Sequence, residues 1–162
     1  MLFNTAAFST PSSFRPLHGI AGCVIAASMW VSGIANAAEF VSVKGNTVNV
    51  RAQANTHSNT LWELGKGYPL QVQQRKGQWL KVRDYEASLG WVYAPLTTKT
   101  PHRIVRAASA NMRATGSTNA KVVGKLKKHD IVRTLKSSGS WTQVQRTDGR
   151  TGWVAKNLTW GW

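Results

Sequence analysis

Gly139-Ser140-Trp141-Thr142-Gln143-Val144-Gln145-Arg146-Thr147-Asp148-Gly149-Arg150-Thr151-Gly152-Trp153-Val154-Ala155-Lys156-Asn157-Leu158 is the stretch from which the fold is read. Two strand-like runs, Trp141–Arg146 and Thr151–Ala155, flank Thr147-Asp148-Gly149-Arg150, and Asp-Gly between such runs is a strong hairpin signal. In the first run Thr142, Val144 and Arg146 alternate with Trp141, Gln143 and Gln145, the period of two that a half-buried strand requires. Gly152 ahead of Trp153 allows a close backbone approach or a bulge beside a large ring.

The same pattern occurs earlier. Gly77, Trp79, Val82, Gly90, Trp91, Val92 and Leu96 match Gly139, Trp141, Val144, Gly152, Trp153, Val154 and Leu158, each 62 positions apart. Upstream the offset continues without a gap: Asn49, Arg51, Ala52, Thr56, Leu64 and Lys66 match Asn111, Arg113, Ala114, Thr118, Leu126 and Lys128. The chain is a tandem duplication of a unit of roughly 55–60 residues, close to the lower size limit for an autonomous core. Compact β modules are expected, with Trp supplying much of the buried area.

Ahead of the repeats, Met1–His18 is polar, Gly19–Ile34 is largely apolar, and Ala35-Asn36-Ala37 supplies a small-x-small site. This is the layout of a secretory signal peptide over residues 1–37, with cleavage expected after Ala37. The apolar run is short for a spanning helix, which needs roughly 20 residues, so a retained anchor is the lesser alternative. Ile20-Ala21-Gly22-Cys23 superficially resembles a lipoprotein cleavage box, but its apolar stretch follows the cysteine instead of preceding it. The expected order is then a first barrel over 38–97, a linker over 98–103 holding Pro101, and a second barrel over 104–162 with a Trp-bearing tail. The mature chain would be periplasmic or secreted, with no transmembrane segment.

Each unit resembles the bacterial Src-homology-3-like domain. The resemblance rests on Asn49-Val50-Arg51, Leu64-Gly65-Lys66-Gly67, Gly77-Gln78-Trp79-Leu80-Lys81-Val82, Gly90-Trp91-Val92 and Leu96. In the second copy it rests on Asn111-Met112-Arg113, Leu126-Lys127-Lys128, Gly139-Ser140-Trp141, Val144, Gly152-Trp153-Val154 and Leu158. It implies an all-β protein, two tandem small barrels of five or six strands each, of a kind that commonly targets cell wall or peptide. The family's Arg-Ser-Gly-Pro loop appears here as Arg51-Ala52-Gln53-Ala54 and Arg113-Ala114-Thr115-Gly116. Many relatives carry a hydrolase or transpeptidase domain, for which these residues leave no room.

Catalysis finds little support. The only cysteine, Cys23, lies in the signal segment, which excludes a Cys nucleophile or Cys-based metal site from the mature chain. His57, His102 and His129 lack the close spacing of a zinc site. Asp84 and Glu86 sit together in the first hairpin turn and read as solvated turn carboxylates. Neither enzyme activity nor a metal or other cofactor is expected.

Binding is the better expectation. Trp79, Trp91, Trp141 and Trp153 recur at matching positions and are expected to build the barrels. The aromatics that do not recur, Trp62, Tyr68, Tyr85, Tyr93, Trp160 and Trp162, are the ligand candidates, since aromatic faces suit sugar rings and extended peptides alike. The formal charge of +15 is uneven, with 8 Lys/Arg against 4 Asp/Glu over 39–100 and 12 against 2 over 101–162. Lys121, Lys125, Lys127, Lys128, Arg133, Lys136, Arg146 and Arg150 carry that second surplus, and all but Lys136 are the anion-binding candidates. Such a surplus attracts polyanions in a salt-dependent way. The expected partner is peptidoglycan or another anionic envelope polymer. An envelope protein's polypeptide segment is the alternative, and export argues against nucleic acid as the physiological partner.

Overall fold

A computed structural model describes residues 37–162; the expected signal segment falls almost wholly outside them. The first barrel holds β1 (Phe40–Val43), β2 (Thr47–Arg51), β3 (Thr60–Gly65), β4 (Pro69–Lys76), β5 (Trp79–Arg83), β6 (Leu89–Tyr93) and β7 (Thr97–Thr98). The second holds β8 (His102–Val105), β9 (Ser109–Arg113), β10 (Val122–Lys127), β11 (Ile131–Ser138), β12 (Trp141–Gln145), β13 (Thr151–Ala155) and β14 (Thr159–Gly161). Each strand from β8 onward begins 62 residues after its counterpart. The sheet orders are β3-β2-β6-β5-β4-β1-β7 and β10-β9-β13-β12-β11-β8-β14, so the topology is duplicated along with the sequence.

Alternation explains the strands. In β5, Leu80 and Val82 are buried while Trp79, Lys81 and Arg83 are partly exposed, and β12 repeats this with Thr142 and Val144 inward. The hairpin read from Trp141–Ala155 forms, with Gln145 opposite Thr151 and a turn over Arg146–Arg150. Gly90 and Gly152 are the close-approach glycines, each lying against the side chain of the residue before the Arg of β2 or β9. Both copies shift register at the same place, between Val72 and Gln74 and between Thr134 and Lys136, bending the long strand so the sheet can curl.

Two expectations are corrected. The cores are built of small aliphatic side chains, Val41, Val43, Val50, Leu70, Leu80 and Val92 in the first barrel and Val105, Met112, Leu126, Val144 and Val154 in the second. Trp79, Trp91, Trp141 and Trp153 are only partly buried, because each alternates with an inward residue and so lies on the outer face of its strand. The linker expected over 98–103 shrinks to Lys99–Pro101: Thr98 closes β7 on β1, and His102 opens β8. The polar character of His102 and Arg103 hides this strand, yet Arg103 is buried, donating from Nε to Thr159 Oγ1 at 2.7 Å and from Nη1 to the Trp162 carbonyl.

Candidate functional site: duplicated grooves

Each barrel carries a groove at the same place. The first, about 330 Å³, is lined by Thr47, Asn49, Arg51, Thr56, Trp79, Tyr93 and Leu96. The second, about 450 Å³, is lined by Ser109, Asn111, Arg113, Thr118, Trp141, Ala155 and Leu158. These seven positions correspond at the 62-residue offset; Val48 in the first groove and Asn157 in the second have no counterpart in the other lining. A Trp ring on the outer face of β5 or β12 forms one wall, and the strand carrying Asn-x-Arg forms the other.

The arginine of each groove also holds the adjoining loop. Arg51 donates from Nη1 to the Ser58 carbonyl at 2.6 Å, and Arg113 donates from Nη1 to the Ala120 carbonyl at 2.7 Å. A guanidinium with several fixed donors can satisfy a loop carbonyl and keep other N–H groups for a ligand. The two grooves differ at one aromatic. Tyr93 lies against Trp79, ring centroids 5.4 Å apart, and donates its hydroxyl to Gln78 Oε1 at 2.6 Å. Ala155 takes that position in the second groove, which is wider for it.

The ligand candidates fall in three places. Tyr93 is in the first groove. Trp62, Tyr68 and Tyr85 line a second cavity of about 470 Å³ between the barrels, with Glu63, Asp84, Glu86 and His129. There Tyr85 donates to Glu86 Oε1 at 2.7 Å and meets His129 Nε2 of the second barrel at 2.8 Å. Burial first, then the Glu86 carboxylate, push the Tyr85 phenol up to about 12, and burial raises Tyr68 as well. Trp160 and Trp162 both pack against Phe40 of the first barrel, at 5.1 and 6.3 Å, and Trp162 Nε1 donates to Ser42 Oγ at 3.3 Å.

Asp84 is not a solvated turn carboxylate: it is buried and accepts from the N–H groups of Glu86 and Ser88. Among the described residues no group of three or more His, Cys, Asp or Glu could hold a metal ion, and no helix is long and apolar enough to cross a membrane.

The basic candidates also divide. Lys125 and Lys127 lie two apart on β10 and share its solvent face, with Lys121 just before the strand and Lys128 in the turn after it. Arg146 and Arg150 flank Asp148, at 3.4 and 2.7 Å, and hold its carboxyl below the usual range, chiefly through the Arg150 hydrogen bond. Arg133 stands opposite His102 at the junction of the barrels. Asn49, Arg51, Thr56 and Leu96 were legible in the sequence only as repeat markers. Their recurrence as residues outside the core, three of them polar and Leu96 an exposed apolar one, is the signal that they share a groove.

Two family models, each described as a bacterial SH3 domain, match residues 44–99 and 108–159. YrvJ of Bacillus subtilis (strain 168), provisionally named an N-acetylmuramoyl-L-alanine amidase, is 26% identical over 126 residues, covering 68% of this chain and 24% of its own length. The chain thus spans about a quarter of that relative. Similar solved structures include NlpC2 from Trichomonas vaginalis, with 11% identity, 76% of this chain and 48% of that one covered, and a TM-score of 0.36. An NlpC/P60 family protein from Bacillus cereus ATCC 10987 has 13% identity, 76% and 56% coverage, and a TM-score of 0.36. Likeness at this level bears on neither activity nor substrate.

Proposed function

Because this chain belongs to the bacterial SH3 domain family, in two tandem copies, we propose that it is an exported, non-catalytic module binding peptidoglycan or another anionic envelope component. The observation that carries this is the duplicated groove: the same Asn, Arg, Thr, Trp and Leu positions line a surface cleft in both barrels. A core needs only aliphatic volume, and the cores here have it. Recurrence of a half-exposed Trp beside a half-exposed Arg suits a ligand that is itself repetitive and offers apolar faces beside carboxylates. A wall polymer of sugars and carboxylate-bearing stem peptides has that character, and the amidase name of the relative points to the same material. Two sites on one chain would also raise retention through avidity, without new contacts. Export with cleavage after Ala37, and residence in the periplasm or beyond it, belong to this proposal.

The experiment is co-sedimentation of the mature chain with purified, protein-free sacculi at low and high salt. Retention at both salts is expected, weakened about tenfold by Trp79→Ala or Trp141→Ala, the effect of losing one aromatic anchor. Retention lost only at high salt would leave charge as the driver and remove the grooves from the account. Absence of retention at either salt would turn the assignment to a second function, an adaptor for a polypeptide segment. One feature favours that alternative: the inter-barrel cavity sets Glu63, Asp84 and Glu86 beside Trp62, Tyr68 and Tyr85, a lining suited to a basic side chain.

A further inference from the structure

On another side of the junction lies a pocket of about 270 Å³ with the opposite charge. It is lined by Lys66 and Gly67 from the β3–β4 turn, and by His102, Ile131, Arg133 and Arg146 from the second barrel. Among the described residues no carboxylate lines it. Arg146 is already held by Asp148, but Lys66 and Arg133 belong to no ion pair among the described residues. His102 and Arg133 are directly opposed partners of β8 and β11, so their side chains project side by side. Gly67 is pressed onto His102 and Ile131: a Cβ there would lie 3.1 Å from His102 Cδ2 and 3.1 Å from Ile131 Cγ2, and its φ of +79° favours glycine independently. The first barrel thereby delivers Lys66 to a site completed by the second.

We propose that this junction pocket binds a compact oxyanion, a phosphate or carboxylate group, between Lys66, Arg133 and the His102 imidazole. Three cationic or cationisable groups facing one cavity repel one another when it holds only water, and an anion removes that repulsion. Arg133 supplies the planar fork that matches an oxyanion, and Lys66 a point charge. His102 has its tautomer set: the Thr100 carbonyl lies 3.0 Å from Nδ1, so the proton stays there and Nε2 is free. Neutral Nε2 only accepts hydrogen bonds. With Nε2 protonated it becomes a third donor, so binding draws one proton from solvent. Without an anion, burial first, then Arg133 and Lys66, hold the imidazole below its ordinary range, and those two with Arg146 are the charged groups facing it among the described residues. A bound oxyanion reverses the sign of the local field, and the imidazole pKa rises. The pocket is separate from the grooves, and the proposal does not depend on what they hold.

The test is an NMR pH titration of the His102 ring in the full chain, assigned by its loss in His102→Gln, at an ionic strength fixed with chloride. Inorganic phosphate, methyl phosphate or acetate is then added. The pKa is expected to rise by about 0.5–1 unit with a saturating oxyanion. The same rise is expected in the control Lys76→Gln, and less than half of it in Lys66→Gln and in Arg133→Gln. A rise with both phosphates and acetate assigns a general oxyanion site open to stem-peptide carboxylates. A rise with the phosphates alone assigns a phosphate-bearing ligand. No rise with any of the three, or one equal in all variants, overturns the proposal. Since none of these substitutions touches Trp79 or Trp141, failure here would leave sacculus retention as it was.

Discussion

A Cβ on Gly90 would lie 2.3 Å from Val50 Cγ1, and one on Gly152 would lie 2.4 Å from Met112 Cγ. The distances are nearly equal, but the neighbours are not. Valine is β-branched and stiff at χ1, whereas methionine is unbranched and yields. Gly90→Ala is therefore expected to cost about 2–3 kcal/mol and Gly152→Ala about 1 kcal/mol, within the range of core overpacking. Urea unfolding of the two variants checks the order, and an equal or larger loss for Gly152→Ala would contradict it. The same pair of positions explains a residue whose surroundings the sequence did not disclose. Trp62 does not recur, and its counterpart is Gly124. In the first barrel Trp62 packs on the core beside its cross-strand partner Val50; in the second, Met112 Cε reaches to 3.0 Å of where a Gly124 Cβ would stand. Volume moved from one strand to the next, so non-recurrence at this position has a packing cause. No count of repeated residues reveals that without the register.

At the scale of strands, hairpins were legible because alternation and turn chemistry are local properties: β13 lies where Thr151–Ala155 placed it, and β12 ends at Gln145, one residue short of the expected Trp141–Arg146. β7 and β14 were not, since two or three residues of Thr, Trp and Gly carry no period. They are strands because β1 and β8 offer them an edge. Edge strands of this kind need side-chain ties, and Glu39 supplies one. Its Oε1 accepts from Lys99, just beyond β7, and from Arg75 on β4, at 2.5 Å. Those contacts, the Lys99 hydrogen bond foremost, hold the Glu39 carboxyl below its usual value. A depressed carboxylate stabilises the fold above its unfolded-state pKa and loses that contribution as pH falls through the folded one. The pairs are well exposed, so screening limits the effect. Glu39→Gln is expected to cost under about 1 kcal/mol at neutral pH. The difference from the parent should close below the ordinary carboxylate range. A constant deficit across urea unfolding at neutral and acid pH would show that the glutamate matters by packing instead.

For the whole molecule, the duplication was legible and the junction was not, and one physical reason covers both. Groove residues such as Asn49, Arg51, Thr56, Trp79 and Leu96, and core residues such as Leu64, Val82 and Val92, meet the same neighbours twice and recur at the offset. Residues facing the other barrel meet different neighbours, and there the copies diverge. Phe40 corresponds to His102, Trp160 to Thr98, Trp162 to Thr100 and Tyr85 to Thr147. The first member of each pair makes an aromatic contact across the junction. Two modules this small, joined by aromatic packing, a part-buried Ser42–Trp162 hydrogen bond and a connection of three residues, should not unfold separately. Calorimetry of the mature chain is expected to give one cooperative transition whose calorimetric and van't Hoff enthalpies agree. Trp160→Thr installs the residue that the first barrel already carries at its equivalent position, so the strand itself is preserved while the contact with Phe40 is lost. That variant, or Phe40→Ala, is expected to lower stability by about 1–3 kcal/mol, less than for a fully buried aromatic, and to separate the two barrels into distinct transitions. Two transitions in the parent protein, or a single unshifted one in both variants, would mean that the junction does not couple them.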